Sequence, residues 1–199
     1  LDPAFETKVW TELKAPSDLQ LPSLTYDTAR RNTILTSLDQ TWTWDGAAWS
    51  KQTSGTTKAL SGVWAADANN AWIVGQGGTI LRWNGAAWTP QTSGTTEDLF
   101  AIWGTDASNI WTVGGHTILK WNGSTWVPEA SSGAGGLRSV SGVDANNVWA
   151  VGGNLIFKRN GANWTQETAS ASNSIYYAVG GSDINNIWAV GSPGLILKR

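Results

Sequence analysis

The chain has 199 residues, a formal net charge of −2, 14% charged residues, and neither cysteine nor methionine. This balance excludes the basic footprint of a nucleic-acid binder, and the lack of cysteine excludes a disulfide framework or a thiolate metal site. No apolar run reaches membrane-spanning length, so no membrane insertion is expected.

In chain order, Phe5 to Thr11 reads as a strand carrying Trp10. A divergent segment from Pro22 to Leu35 follows, containing Tyr26-Asp27 and Arg30-Arg31. Thr41-Trp42-Thr43-Trp44-Asp45-Gly46-Ala47-Ala48-Trp49 then reads as strand, turn and strand. From there the pattern sharpens. Ala59 to Ala65 is strand a, Asp67-Ala68-Asn69-Asn70 a turn, Ala71 to Gly75 strand b, Thr79 to Trp83 strand c, and Ala86 to about Gln91 strand d. Thr-Ile-Leu-Arg-Trp in strand c is β-branched and aromatic, which suits a pleated, half-buried surface. Asn84-Gly85 supplies two residues that tolerate φ > 0, as a type I′ hairpin turn needs. The unit recurs from Leu99 to Trp126 and, worn, to Trp164. The last unit runs through strand c at Gly194 to Arg199 with no strand d after it.

Three series share one period. Trp10, Trp49, Trp88, Trp126 and Trp164 are spaced by 39, 39, 38 and 38 residues, and the Trp-x-Val-Gly tryptophans Trp72, Trp111, Trp149 and Trp188 by 39, 38 and 39. The Asp turns at Asp67, Asp106, Asp144 and Asp183 keep the same step. Four short strands per repeat is a propeller-blade pattern. The expected fold is all-β: a five-bladed β-propeller of four-stranded blades in one domain, 1–199, with blades at about 11–49, 50–88, 89–126, 127–164, and 165–199 plus 1–10. The N-terminal strand is expected to complete the last blade and close the ring, which removes an exposed edge.

The segment with Tyr26-Asp27 and Arg30 resembles a kelch-type blade. The later units, with Trp-x-Val-Gly, Gly-x-Ile-Leu and Asp- or Asn-Gly-x-x-Trp, resemble bacterial propeller repeats related to sialidase Asp-box repeats and photosystem II assembly-factor propellers. The resemblance covers residues 59–199 well and 1–58 loosely. An Asp box reads Ser-x-Asp-x-Gly-x-x-Trp, whereas Asn or Asp stands directly before Gly here, so a sialidase reaction is not carried over. The resemblance implies that ligands use the d–a and b–c loop face or the grooves between blades.

Fifteen tryptophans frame the functional question. Those of strands b and d persist and read as packing between sheets. At the strand-a position Trp64 and Trp103 give way to Ser141 and Gly180; at the strand-c position Trp44, Trp83 and Trp121 give way to Arg159 and Arg199. Trp44, Trp64, Trp83, Trp103 and Trp121 are therefore the aromatic ligand candidates, because an indole offers a sugar both an apolar face and an N–H. On the opposite face, the b–c loops carry Gln76, His116 and Asn154 as hydrogen-bonding candidates. Several weak sites on one rigid disc would give avidity. The row Arg82, Lys120, Lys158 and Lys198 reads as a solvated sheet face.

Catalysis and metal binding read poorly. His116 is the lone histidine, and nucleophile–base pairs are thin. Glu97, Asp98, Glu129 and Glu167 fall on separate repeats without the pairing that a two-carboxylate hydrolase needs. The Asp and Asn oxygens of the a–b turns suit a hard cation, but such residues cap their own turns. No cofactor and no metal are expected. The leading expectation is a non-catalytic, lectin-like carbohydrate-binding module. The alternative is a protein-interaction or structural scaffold, or an excised or engineered propeller with no selected ligand. A monomer is expected. Beginning at Leu1, the chain reads as a fragment or processed form of a secreted or cell-surface bacterial protein whose signal segment has been removed.

Overall fold

The computed structural model describes residues 23–27, 32–37, 40–44, 49–131, 136–168 and 174–199. Among these residues all regular structure is strand apart from a short 3-10 turn at Gln76–Gly78. The first sheet holds β1 (Ser23–Asp27), β2 (Asn32–Ser37), β3 (Gln40–Trp44) and β4 (Trp49–Gln52). The second holds β5 (Leu60–Asp67), β6 (Asn70–Gly75), β7 (Thr79–Trp83) and β8 (Trp88–Gln91). The third holds β9 (Ala101–Asp106), β10 (Asn109–Gly114), β11 (Thr117–Trp121) and β12 (Trp126–Ser131). The fourth holds β13 (Ser139–Asp144), β14 (Asn147–Gly152), β15 (Leu155–Asn160) and β16 (Asn163–Glu167). The fifth has three strands, β17 (Ile175–Gly181), β18 (Ile187–Ser192) and β19 (Leu195–Lys198). Each sheet is an antiparallel meander in chain order.

The first strand of each sheet touches the first strand of the next, β1 to β5, β5 to β9, β9 to β13 and β13 to β17. Strand a is thus the strand through which successive sheets meet. Neighbouring sheets are knitted at its start: Leu99 N–H bonds the Gly75 carbonyl, Leu137 N–H the Gly115 carbonyl, and Tyr176 N–H the Gly153 carbonyl. The glycine of Trp-x-Val-Gly answers a close approach inside its own sheet, where strand b meets the start of strand a. A Cβ on Gly75, Gly114 or Gly152 would run into the carbonyl of Ala59, Asp98 or Gly136.

The turns show why Asp and Asn recur. Asp67 accepts the Asn69 N–H at 2.8 Å and the Asn70 side-chain amide at 3.0 Å on each carboxylate oxygen. Asp106, Asp144 and Asp183 make the same kind of closure. The c–d turn departs from the expected two-residue hairpin. Trp83 pairs with Trp88, so residues 84–87 form a four-residue loop. The Asn84 side-chain oxygen caps that loop by accepting from the N–H groups of Ala86 and Ala87, both at 3.0 Å. Gly85 supplies the positive φ of 97° that an L side chain rarely adopts.

Apolar clusters lie between successive sheets. Ile34, Leu60, Ile73 and Trp88 join the first two; Trp72, Val74, Ile110, Trp121 and Trp126 join the second and third; Trp111, Val113, Ile118, Val148 and Phe157 join the third and fourth. Trp72, Trp111 and Trp149 are buried. An aromatic of this size removes about 150–250 Å² from water, which at roughly 25 cal/mol per Å² contributes about 4–6 kcal/mol before ordering costs. The end of the array differs: Trp188 is 45% exposed and Ile196 67%, where Trp149 is 1% and Ile118 0%. The ring closure expected from the sequence rests on Phe5–Thr11, which lie outside the described residues.

Candidate binding surface

The aromatic candidates divide according to what covers them. Trp64 stacks on Trp72 of its own sheet, ring centroids 5.9 Å apart, and its ring tip lies where a Cβ on Gly104 of the third sheet would stand. Trp103 repeats this against Trp111 at 5.9 Å and over Gly142 of the fourth sheet. Both are half-buried wedges between sheets and not open platforms. Trp121 is 2% exposed, packs 6.3 Å from Trp72, and donates its Nε1–H to the Ala107 carbonyl at 3.1 Å. Trp83 is half-buried and donates in the same way to the Ala68 carbonyl at 3.2 Å. Trp44 holds the matching register position in β3, opposite Trp49; its side chain lies outside the description. Trp64, Trp103 and Trp121 thus each have a ring face against a neighbouring indole.

The basic row has a structural use too. Arg82 sits 5.3 Å over Trp72, Lys120 5.2 Å over Trp111, Lys158 5.5 Å over Trp149 and Lys198 5.3 Å over Trp188. Each cation lids the indole directly across the strand pair. Such contacts stabilise by about 0.5–2 kcal/mol depending on exposure.

Two of the acidic residues, Glu129 and Glu167, pair with arginines of the next sheet. Glu129 stands at a β-bulge, between the pairs Leu119–Pro128 and Ile118–Ala130, a device that re-aims a side chain. It accepts from Arg159 Nε and Nη2 at 2.9 Å each, from Trp111 Nε1 at 3.0 Å and from Trp164 Nε1 at 2.7 Å. Burial alone pushes the Glu129 carboxyl up, but the Arg159, Trp164 and Trp111 hydrogen bonds outweigh it and hold the group below its ordinary range. One joint on, Glu167 pairs with Arg199 at 3.4 Å. At the two earlier joints the corresponding positions carry Gln52 with Trp83 and Gln91 with Trp121.

The loop face is open. Gln76, His116 and Asn154 are all exposed on the b–c loops. The hydrogen bonds that tie these loops to the next strand a set them beside three exposed residues that sequence reasoning missed: Phe100 (40% exposed), Arg138 and Tyr177 (47%). These occupy one repeated position. Each follows a fully buried residue, Leu99, Leu137 or Tyr176, and is itself turned to solvent. Arg138 lies 5.8 Å over the Tyr177 ring, across the fourth and fifth sheets. That alternation was the readable signal. Nearby, Gly77 N–H donates to Asp98 at 2.7 Å and Lys58 Nζ to the Gly77 carbonyl at 3.4 Å, fixing the loops. Among the described residues no three His, Cys, Asp or Glu side chains gather to hold a metal ion.

No protein-family model matches the chain, and no curated protein matches it in sequence. Solved structures do. YCF48 bound to D1 peptide is similar at 16% identity with a TM-score of 0.71, covering 97% of this chain and 68% of that one. A catalytically inactive virginiamycin B lyase from Staphylococcus aureus with quinupristin is similar at 15% identity and TM-score 0.72, covering 88% and 68%. The WD40 β-propeller domain of Doa1 is similar at 14% identity and TM-score 0.75, covering 90% and 64%. What this chain shares with them is the propeller fold.

Proposed function

We propose that the chain is a non-catalytic interaction propeller that binds an extended peptide or protein segment on its loop face. The exposed row of Phe100, Arg138 and Tyr177 carries this reading. It offers two aromatic surfaces and a guanidinium at the starts of neighbouring inner strands, rimmed by the hydrogen-bonding groups of Gln76, His116 and Asn154. Such a surface suits a segment with apolar side chains and a carboxylate. A propeller fold shared with YCF48, whose structure was solved with a D1 peptide, supports it. The carbohydrate reading loses support because Trp64, Trp103 and Trp121 are engaged in packing. A monomeric state and a secreted or cell-surface location belong to the same proposal.

The test is an array of extended peptides probed with the labelled chain, followed by titration of the best binder. Selective binding weakened at least tenfold by Phe100→Ala or Tyr177→Ala supports the reading. A blank peptide array beside a positive glycan array overturns it.

A further inference from the structure

Most charged side chains of the described residues are engaged inside the fold. Asp67, Asp106, Asp144 and Asp183 close the a–b turns, and Glu129 and Glu167 hold Arg159 and Arg199. Arg82 donates to the Asn70 side chain at 2.9 Å, and the lysines of strand c lie over indoles. Even on the loop face Asp98 and Lys58 are taken, since both bond the backbone of Gly77, at 2.7 and 3.4 Å. Two charges are left over, one of each sign. Among the described side chains Glu97 is the carboxylate that accepts no hydrogen bond and meets no cation. Arg138 is the arginine with neither a hydrogen bond nor an ion pair among them.

These two stand on either side of one b–c loop. A Cβ on Gly115 would strike the Glu97 carboxylate, and the Gly115 carbonyl accepts the N–H of Leu137, the residue before Arg138, at 2.9 Å. Glu97 thus reaches the Gly115-His116 loop from the third sheet, and Arg138 borders it from the fourth. Both are exposed, and they do not pair with each other. The Arg138 guanidinium instead lies 5.8 Å over the Tyr177 ring, towards the fifth sheet and away from Glu97. A guanidinium laid on an aromatic face keeps its N–H edge for a carboxylate. Phe100 comes three residues after Glu97, so each of the two charges has an aromatic ring beside it in the row.

We infer that the segment bound on this face is bipolar: one of its basic side chains pairs with Glu97, an acidic one pairs with Arg138, and apolar ones cover Phe100 and Tyr177. The inference rests on the peptide reading above and adds Glu97 to the site, and with it a charge pattern in the partner. A wholly acidic segment would satisfy Arg138 and be repelled by Glu97; a wholly basic one would meet the reverse. Opposite charges held apart on one face select by both attraction and repulsion.

The experiment takes the best binder from the extended-peptide array and titrates it at low salt, where exposed charges are least screened. That binder is expected to hold both a basic and an acidic residue. The full-length Glu97→Lys and Arg138→Glu variants are each expected to bind it roughly fivefold more weakly or worse. Reversing the matching peptide charge, basic to acidic for the first variant and acidic to basic for the second, is expected to restore affinity to that variant alone. Lost folding cannot produce such a rescue. The same reversed peptides, titrated against the unaltered chain, repeat the test without altering the protein and are expected to bind more weakly. Binders that lack a basic residue, or reversals that leave affinity unchanged, overturn the bipolar segment and leave the peptide reading standing. A blank peptide array overturns both.

Discussion

Arg159 of the fourth sheet grips Glu129 of the third with two nitrogens, Nε and Nη2, each 2.9 Å from a different carboxylate oxygen. Both side chains are mostly shielded, at 6% and 15% exposure. Removing one partner leaves the other's charge with little water, which costs far more than the pair itself contributes. Arg159→Ala is expected to destabilise the chain by about 3–5 kcal/mol. Glu129→Gln keeps an acceptor for Trp111 and Trp164 and should cost less. The double variant Glu129→Gln/Arg159→Trp recreates the residue types of the second joint and should recover part of the loss. Urea unfolding of the three variants checks the order.

Acid should weaken this fold by a predictable route. Burial raises the Glu129 carboxyl, yet its hydrogen bonds from Arg159, Trp164 and Trp111 hold it below 4.5. In Asp106 burial also pulls upward and is outweighed by Ser108 N–H, Thr105 and Asn109; in Asp144 and Asp183 the Asn147 and Asn186 side chains lead, with backbone N–H groups behind them, and all three stay below 3.8. A carboxyl depressed in the folded state stabilises fully above its unfolded value and loses that contribution as pH falls through its folded value. The melting temperature should hold steady down to about pH 5 and drop below it. The drop should begin at lower pH in Glu129→Gln. A pH-independent melting curve from 6 to 3 would contradict this.

Two neighbouring positions of strand a treat glycine differently. A Cβ on Gly142 would meet the Trp103 ring at 2.7 Å and the Asn147 carbonyl at 2.6 Å, whereas nothing stands within 4 Å of one on Gly180. Gly142→Ala is expected to cost about 1–3 kcal/mol through overpacking. Gly180→Ala should be neutral or stabilise by up to roughly 1 kcal/mol, because glycine weakens a strand through backbone entropy. Thermal unfolding of the two variants side by side distinguishes them.

Packing and binding tryptophans separate in one experiment. Trp64→Ala removes a wedge between the second and third sheets and should lower stability by on the order of 3 kcal/mol. At a temperature where it remains folded, its peptide affinity should equal that of the unaltered chain. Phe100→Ala should show the reverse, near-native melting with weakened binding. If Trp64→Ala instead abolishes binding while melting normally, the aromatic turn-face site returns.

The period and strand order were legible because tryptophan, Asp and Asn-Gly mark every repeat at one step. The partners of Glu129 were not, since Arg159 and Trp164 belong to the next sheet and lie 30 and 35 residues away. Replacement of Trp83 and Trp121 by Arg159 read as dispensability. In the structure Arg159 Nη1 donates to the Ala145 carbonyl, the same turn position that Trp83 and Trp121 serve at Ala68 and Ala107. The substitution keeps the hydrogen bond and changes the charge, which Glu129 then answers. Phe100, Arg138 and Tyr177 were passed over because they differ in chemistry at one shared position, so no motif flags them. Only their alternation with buried Leu99, Leu137 and Tyr176 does.

The joints carry two kinds of key, Gln52 and Gln91 ahead of a tryptophan, Glu129 and Glu167 ahead of an arginine. Repeats that look interchangeable by fold are therefore ordered by charge. An array grown by duplication and reshuffled by recombination would set a carboxylate against an indole, or a guanidinium against an amide, wherever the two kinds were crossed. Exchanging one blade for another keeps its joints only where the two share a key.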